Sequence, residues 1–279
     1  MVAVLLSACS PIGTLNAVSA GGTKHAVTRD VSYGPLARQR LDIYRPSASS
    51  PPAGWPLVVF FYGGSWSSGQ RDDYAFVGAA LADRGVVTLV ADYRLYPEVR
   101  YPDFMKDSAK ALSYGLDEAK RLGADPKRVF VMGHSAGGYN AAMLALDPRW
   151  LAATKHSPGQ LAGWIGLSGP YDFLPSSDPE LRSIFHHPDY PPGSQPIDHM
   201  RRGAPPTFLG APPDDKVVSF QRSTLQLAEG LQKAGVPVTL KTYARANHAT
   251  LLGAFAWPLR WAGNTLDDVL SFIATTPPR

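Results

Sequence analysis

The chain has 279 residues, 44% of them hydrophobic and 18% charged, which is the make-up of a folded globular protein long enough to bury one large core. Its net charge of +4 comes from Lys and Arg scattered singly, with no basic stripe interleaved with aromatics, so nucleic acid is not an expected partner. No repeat or heptad run appears, and no segment approaches the roughly 20 consecutive apolar residues that span a bilayer.

In chain order, Arg40 to Tyr44 alternates as a short strand, and Leu57 to Tyr62 is a continuous apolar strand of the kind buried on both faces. Residues 72–84 have helical spacing stopped by Gly85, Val86 to Ala91 reads as the next buried strand, and 103–122 as a long helix closed by Gly123. Arg128 to Met132 is a strand, Ala141 to Leu146 belongs to a helix, and Leu161 to Leu167 and Thr207 to Leu209 are further strands. Residues 220–234 read as a helix, Val238 to Tyr243 as a strand and 265–274 as the last helix. The Pro-rich stretches 47–56 and 188–206 read as loops. Strands alternating with helices predict an α/β protein with a mostly parallel central sheet and helices on both faces. In such sheets reactive groups collect beyond the carboxyl ends of the strands.

Between one of these strands and the helix after it lies Gly133-His134-Ser135-Ala136-Gly137. A serine on a sharp strand-to-helix turn has its hydroxyl exposed and the next amide aimed at whatever it attacks, and the glycines let strand and helix pass closely. Ser135 is therefore the candidate nucleophile. A serine hydroxyl needs a base, and the base needs a group to fix its tautomer. Of the seven histidines, His248 alone follows a late strand and precedes an apolar helix pattern. His134, inside the turn, is expected to project away from the cleft, while His186, His187 and His199 sit in a Pro-rich insertion as solvated loop residues. The orienting carboxylate is expected after the strand holding Phe208 and Leu209, where Asp214 and Asp215 compete; Asp215, just ahead of Val217-Val218, is preferred. Gly63-Gly64 after a buried strand would turn amides inward, making Gly64 and Ser65, with the Ala136 amide, candidates for an oxyanion hole. Trp66 is a candidate substrate-binding residue, core packing being the alternative, and residues 173–206 form a candidate lid. No His/Asp/Glu pattern has metal-ligand spacing, so neither a metal nor another cofactor is expected.

Tyr62-Gly63-Gly64-Ser65-Trp66, Asp92-Tyr93-Arg94-Leu95, Gly133 to Gly138 and the Asp215 and His248 loops resemble the α/β-hydrolase superfamily from Asp30 to Ile273. Within it, the chain is similar to the carboxylesterase branch of hormone-sensitive-lipase-like, acetyl-xylan and feruloyl esterases and kynurenine formamidases. The resemblance implies a serine esterase acting through an acyl-enzyme on short-chain, aryl or sugar esters, a formamidase-like amidase or a non-catalytic binding protein being the alternatives. It also implies that Asp92 and Arg94 are buried ionic supports. The chain departs from that branch at Tyr62, where histidine is usual, so the loop must be braced by different hydrogen bonds.

Leu6-Ser7-Ala8-Cys9 resembles the lipobox of bacterial lipoproteins, in which the cysteine is lipidated and becomes the mature N-terminus. The apolar stretch before it is short and lacks a basic flank, the first positive charge being Lys24. The resulting expectation is a leader and tether over residues 1–29, a hydrolase domain over 30–279, and a periplasmic protein touching membrane only through Cys9; a cytoplasmic enzyme is the alternative.

Overall fold

The structure, a computed structural model, describes Gly13, Leu15, Asn16 and residues 24–279; Cys9 lies outside the described residues. Eight strands form one sheet: β1 (His25–Ser32), β2 (Arg40–Pro46), β3 (Trp55–Phe61), β4 (Val87–Ala91), β5 (Ala124–His134), β6 (Gly163–Leu167), β7 (Thr207–Ala211) and β8 (Val238–Thr242). Their order is β1-β2-β4-β3-β5-β6-β7-β8. β1 and β2 run antiparallel to their neighbours, and the other six strands are parallel. Between them run α1 (Ala75–Ala82), α2 (Asp103–Glu118), α3 (Ala136–Leu146), α4 (Pro148–Ala152), α5 (Pro179–Ile184), α6 (Gln226–Lys233), α7 (His248–Gly253) and α8 (Thr265–Thr275). No helix among the described residues is long and apolar enough to cross a membrane.

β3 and β5 form the middle of the sheet, and Leu57 to Phe61 and Val129 to Met132 are fully buried. With helices covering both faces, neither face of such a strand meets water, so its sequence is continuously apolar rather than alternating. α3 lies in this interior, buried at every position from Ala136 to Leu146. Its small residues at 136, 137, 138, 141, 142 and 145 let it approach the sheet closely.

The sequence reading and the structure differ at four places. The segment 72–84 divides into a 3-10 turn at Arg71–Tyr74 and then α1. α2 ends at Glu118, and residues 220–234 begin with a π-helical stretch, Phe220–Leu225. β1 has no counterpart in that reading, and it begins at His25, so the sheet reaches into the segment assigned to the leader. Six of its eight residues are exposed, leaving no apolar signal; an antiparallel pairing with β2 and the 2.8 Å bond from the Lys24 amide to Asp83 hold it.

Candidate active site

The turn at 133–137 is set by backbone crowding. A Cβ at Gly133 would lie 1.9 Å from the Gly137 carbonyl oxygen, and one at Gly137 would lie 2.0 Å from that of Phe61. Strand and helix therefore meet with no room for side chains, and Ser135 between them takes φ 54° and ψ −124°, left-handed geometry that costs a non-glycine residue free energy. Its amide donates to the Leu167 carbonyl (2.9 Å), and its own carbonyl accepts from the Tyr139 amide (3.1 Å), so both sides of the strained residue are fixed. Ser135 lines a cavity of about 250 Å³ together with Ser65, Trp66 and Ala136. A larger depression of about 450 Å³ beside Lys110 and Trp150 holds no serine, cysteine or histidine in its wall.

His248 opens α7, whose first turn is capped by Asn247: its side-chain oxygen accepts from the amides of Ala249 (3.0 Å) and Thr250 (2.9 Å). The Nδ1–H of His248 donates to Asp215 Oδ2 at 2.8 Å. The other carboxylate oxygen, Oδ1, accepts from the amides of Val217 (2.9 Å) and Val218 (3.2 Å). Burial pushes the Asp215 carboxyl up, but the bonds from His248 and the two amides outweigh it and hold the group at about 2, so it is ionised at neutral pH. Asp214 is exposed; of the two acids only Asp215 reaches the imidazole. The His248 ring lies 4.9 Å from the ring of His134, the residue before Ser135. Among the described residues Ser135 Oγ and the His248 imidazole share no hydrogen bond; in unliganded enzymes such contacts are often long and tighten on binding.

After β3, Gly64 (φ 119°), Ser65 (φ 51°) and Trp66 (φ 58°) all take left-handed geometry. Among the described residues the amides of Gly64 and Ser65 donate to no protein acceptor, whereas the Gly64 carbonyl accepts from the amides of Ser67 and Ser68. Ser65 and Ala136 reach the cavity wall, and Gly64 stands one residue behind it. Tyr62 braces this loop from below. Its hydroxyl donates to Asp92 Oδ1 (2.7 Å) and accepts from Arg38 (2.8 Å), and Arg38 also donates to the Gly69 carbonyl (2.8 Å). Asp92 further accepts from the amide and guanidinium of Arg71, and Arg94 pairs with Asp107, so Asp92 and Arg94 are ionic supports.

The rest of the cavity is shaped by Phe173, Leu181, Val217 and Val218, with Asp172 and Arg222 paired at 2.9 Å on one side. Trp66 packs in the core and also borders the cavity. It is 1% exposed, stacks on Phe104 and Phe173, donates its indole N–H to Asn140 (3.0 Å), and still forms part of the cavity wall. Of the candidate lid, Phe173, Ser176 and Leu181 touch the cavity. His134 is turned from this cleft toward a second cavity, yet its Nε2–H donates to the His248 carbonyl at 2.9 Å. Contact with the candidate base is the part that its position in the turn does not reveal.

The BD-FAE family model matches residues 41–231, a span that contains the Ser135 turn, the loop after β3 and Asp215. The chain belongs to the BD-FAE family. Its fold is that of the α/β-hydrolases, with Thermogutta terrifontis esterase 2 superposing at a TM-score of 0.73 and 27% identity over 92% of this chain and 97% of that one. Solved forms of that esterase include a propionate-bound, a butyrate-bound and a sarin-phosphonylated one. Among curated proteins, the isoprenylcysteine alpha-carbonyl methylesterase of Arabidopsis thaliana is 29% identical over 88% of this chain and 62% of its own length. Esterase LipC of Mycobacterium tuberculosis is 32% identical over 65% of this chain and 49% of its own. The chain thus spans about half to two thirds of these curated relatives.

In this BD-FAE member the residues that sequence reasoning missed are those acting through shape. Arg222 lines the cavity, and Arg38 and Arg71 carry the brace, but none sits in a motif; Val217 and Val218, noted in the sequence only as neighbours of Asp215, also line the cavity. A signal existed only for the brace, in the tyrosine at 62.

Proposed function

We propose that this protein is a serine carboxylesterase for esters of short acyl chains. The observation that carries the reading is a serine forced by its turn into a cavity, preceded in the chain by His134, whose ring lies 4.9 Å from that of His248, a histidine already hydrogen-bonded to a buried carboxylate. In the reaction Ser135 Oγ attacks the ester carbonyl carbon while His248 Nε2 takes its proton, and Asp215 stabilises the imidazolium that forms. The oxyanion accepts from the amides of Ala136 and Ser65, with Gly64 shaping or sharing that hole. Collapse expels the alcohol with the proton from His248, leaving an acyl group on Ser135. A water molecule, deprotonated by His248, then attacks the acyl carbon, and the Oγ–acyl bond breaks as His248 returns the proton to Oγ, releasing the acid. A cavity of about 250 Å³ is small beside the ~300–1,000 Å³ of pockets for drug-sized ligands, which favours short acyl groups. The carboxylic ester hydrolases among its relatives support the same chemistry.

With p-nitrophenyl acetate, Ser135→Ala is expected to lower kcat by at least about 10⁴-fold and Asp215→Asn by about 10³–10⁴-fold, Asp214→Asn staying within about twofold. An organophosphonate should add one adduct, mapped by mass spectrometry to Ser135. Undiminished turnover by Ser135→Ala would remove the proposal.

We further propose that the protein is a lipoprotein of the bacterial envelope, anchored through Cys9. Intact-mass analysis of the membrane fraction should show a diacylglyceryl-modified Cys9 as first residue; an unmodified cysteine with residues 1–8 retained would refute the anchor.

A further inference from the structure

His134 and Ser135 are consecutive at the end of β5, so one rigid strand carries both the candidate nucleophile and a side chain that grips the candidate base. The grip is the 2.9 Å bond from His134 Nε2–H to the backbone carbonyl of His248, the first residue of α7. Other restraints on His248 act elsewhere: Asn247 holds the amides of the first turn, and Asp215 holds Nδ1. Neither ties α7 to the strand that bears Ser135. Because a carbonyl can only accept, His134 carries its proton on Nε2; its Nδ1 is buried with no hydrogen-bond partner among the described residues, so a second proton there would have no acceptor among them.

We propose that His134 is a positioning residue for the esterase reaction, fixing the His248 imidazole relative to Ser135 through its hydrogen bond to the His248 backbone carbonyl. The inference rests on the reading of Ser135 and His248 as nucleophile and base. Misplacing a catalytic group by about 1 Å can cost on the order of 100-fold in rate, so losing this tie should act on kcat. Substrate contacts are untouched, because His134 does not line the cleft, and KM should hold.

Glutamine and methionine have nearly the same length and volume, but only glutamine keeps an N–H to donate. With p-nitrophenyl acetate, His134→Met is expected to lose roughly 10- to 100-fold in kcat with KM within about threefold, and His134→Gln to recover most of that loss. Packing alone would affect both alike. Equal impairment of the two folded variants, or a wild-type kcat in His134→Met, overturns the proposal. Should His134→Met not fold, His134→Asn, whose amide is too short to reach the carbonyl, takes its place with the same two outcomes. Ser135→Ala in the same assay separates the levels: if it is inactive while His134→Met is unimpaired, only the positioning role falls.

Discussion

Tyr62 gives the loop after β3 a hydroxyl that keeps its proton, because burial and the Asp92 carboxylate raise its phenol well above the ordinary value. Buried polar groups work here in satisfied sets: the phenol donates to Asp92, accepts from Arg38, and its ring stacks between Tyr74 and Tyr93. Two other residues tie stability to pH. Burial and the neighbouring His248 push the His134 imidazole down from 6.5 to about 3, so over that range the unfolded chain binds a proton that the folded one refuses. Asp215, held at about 2 against an ordinary 3.8, stabilises the fold above about pH 4, a contribution lost as the pH falls toward 2. Both act in the same direction, with His134 acting first, at up to about 1.4 kcal/mol per pH unit. The melting temperature should therefore fall as pH drops below about 6.5, and His134→Gln, which cannot titrate, should hold its value closer to pH 4. Parallel curves for the two proteins between pH 6.5 and 4 would exclude this account.

At the scale of elements, the β5–α3 junction depends on what it lacks. A methyl group at 137 would lie 2.0 Å from the Phe61 carbonyl oxygen and 2.5 Å from that of Tyr62, and backbone in the sheet interior cannot yield. Gly137→Ala should lower the melting temperature by more than about 10 °C or prevent folding, whereas Gly159→Ala, whose new methyl meets only Ser157 Oγ at 3.5 Å, should shift it by no more than about 2 °C. Thermal denaturation of the purified variants checks both values. This junction was legible in the sequence because it is local: an apolar strand, a glycine-flanked serine and a run of small residues adjoin in the chain. α7 was legible only as an apolar pattern after His248, and its cap at Asn247 was not foreseen. The helix boundaries at 71–82 and 118 escaped because the apolar spacing continues past the point where the backbone geometry changes.

For the molecule as a whole, alternation of strands and helices pointed to the parallel core, and the order Ser135, Asp215, His248 pointed to the candidate site, since each follows a buried or half-buried strand. β1 stayed hidden because an exposed strand lacks the apolar alternation by which strands are recognised. The ionic brace stayed hidden for another reason. Arg38, Arg71 and Asp92 meet only once the sheet has formed, and charges distant in sequence have no periodicity to read. Sheet order also divides the candidate site unequally. The candidate nucleophile stands over the centre of the sheet, whereas the candidate base and its carboxylate follow β8 and β7, β8 being a half-exposed strand paired on one side only among the described residues. The shape of this protein is thus secured from its middle, but the proposed turnover would depend on its margin, where fraying begins.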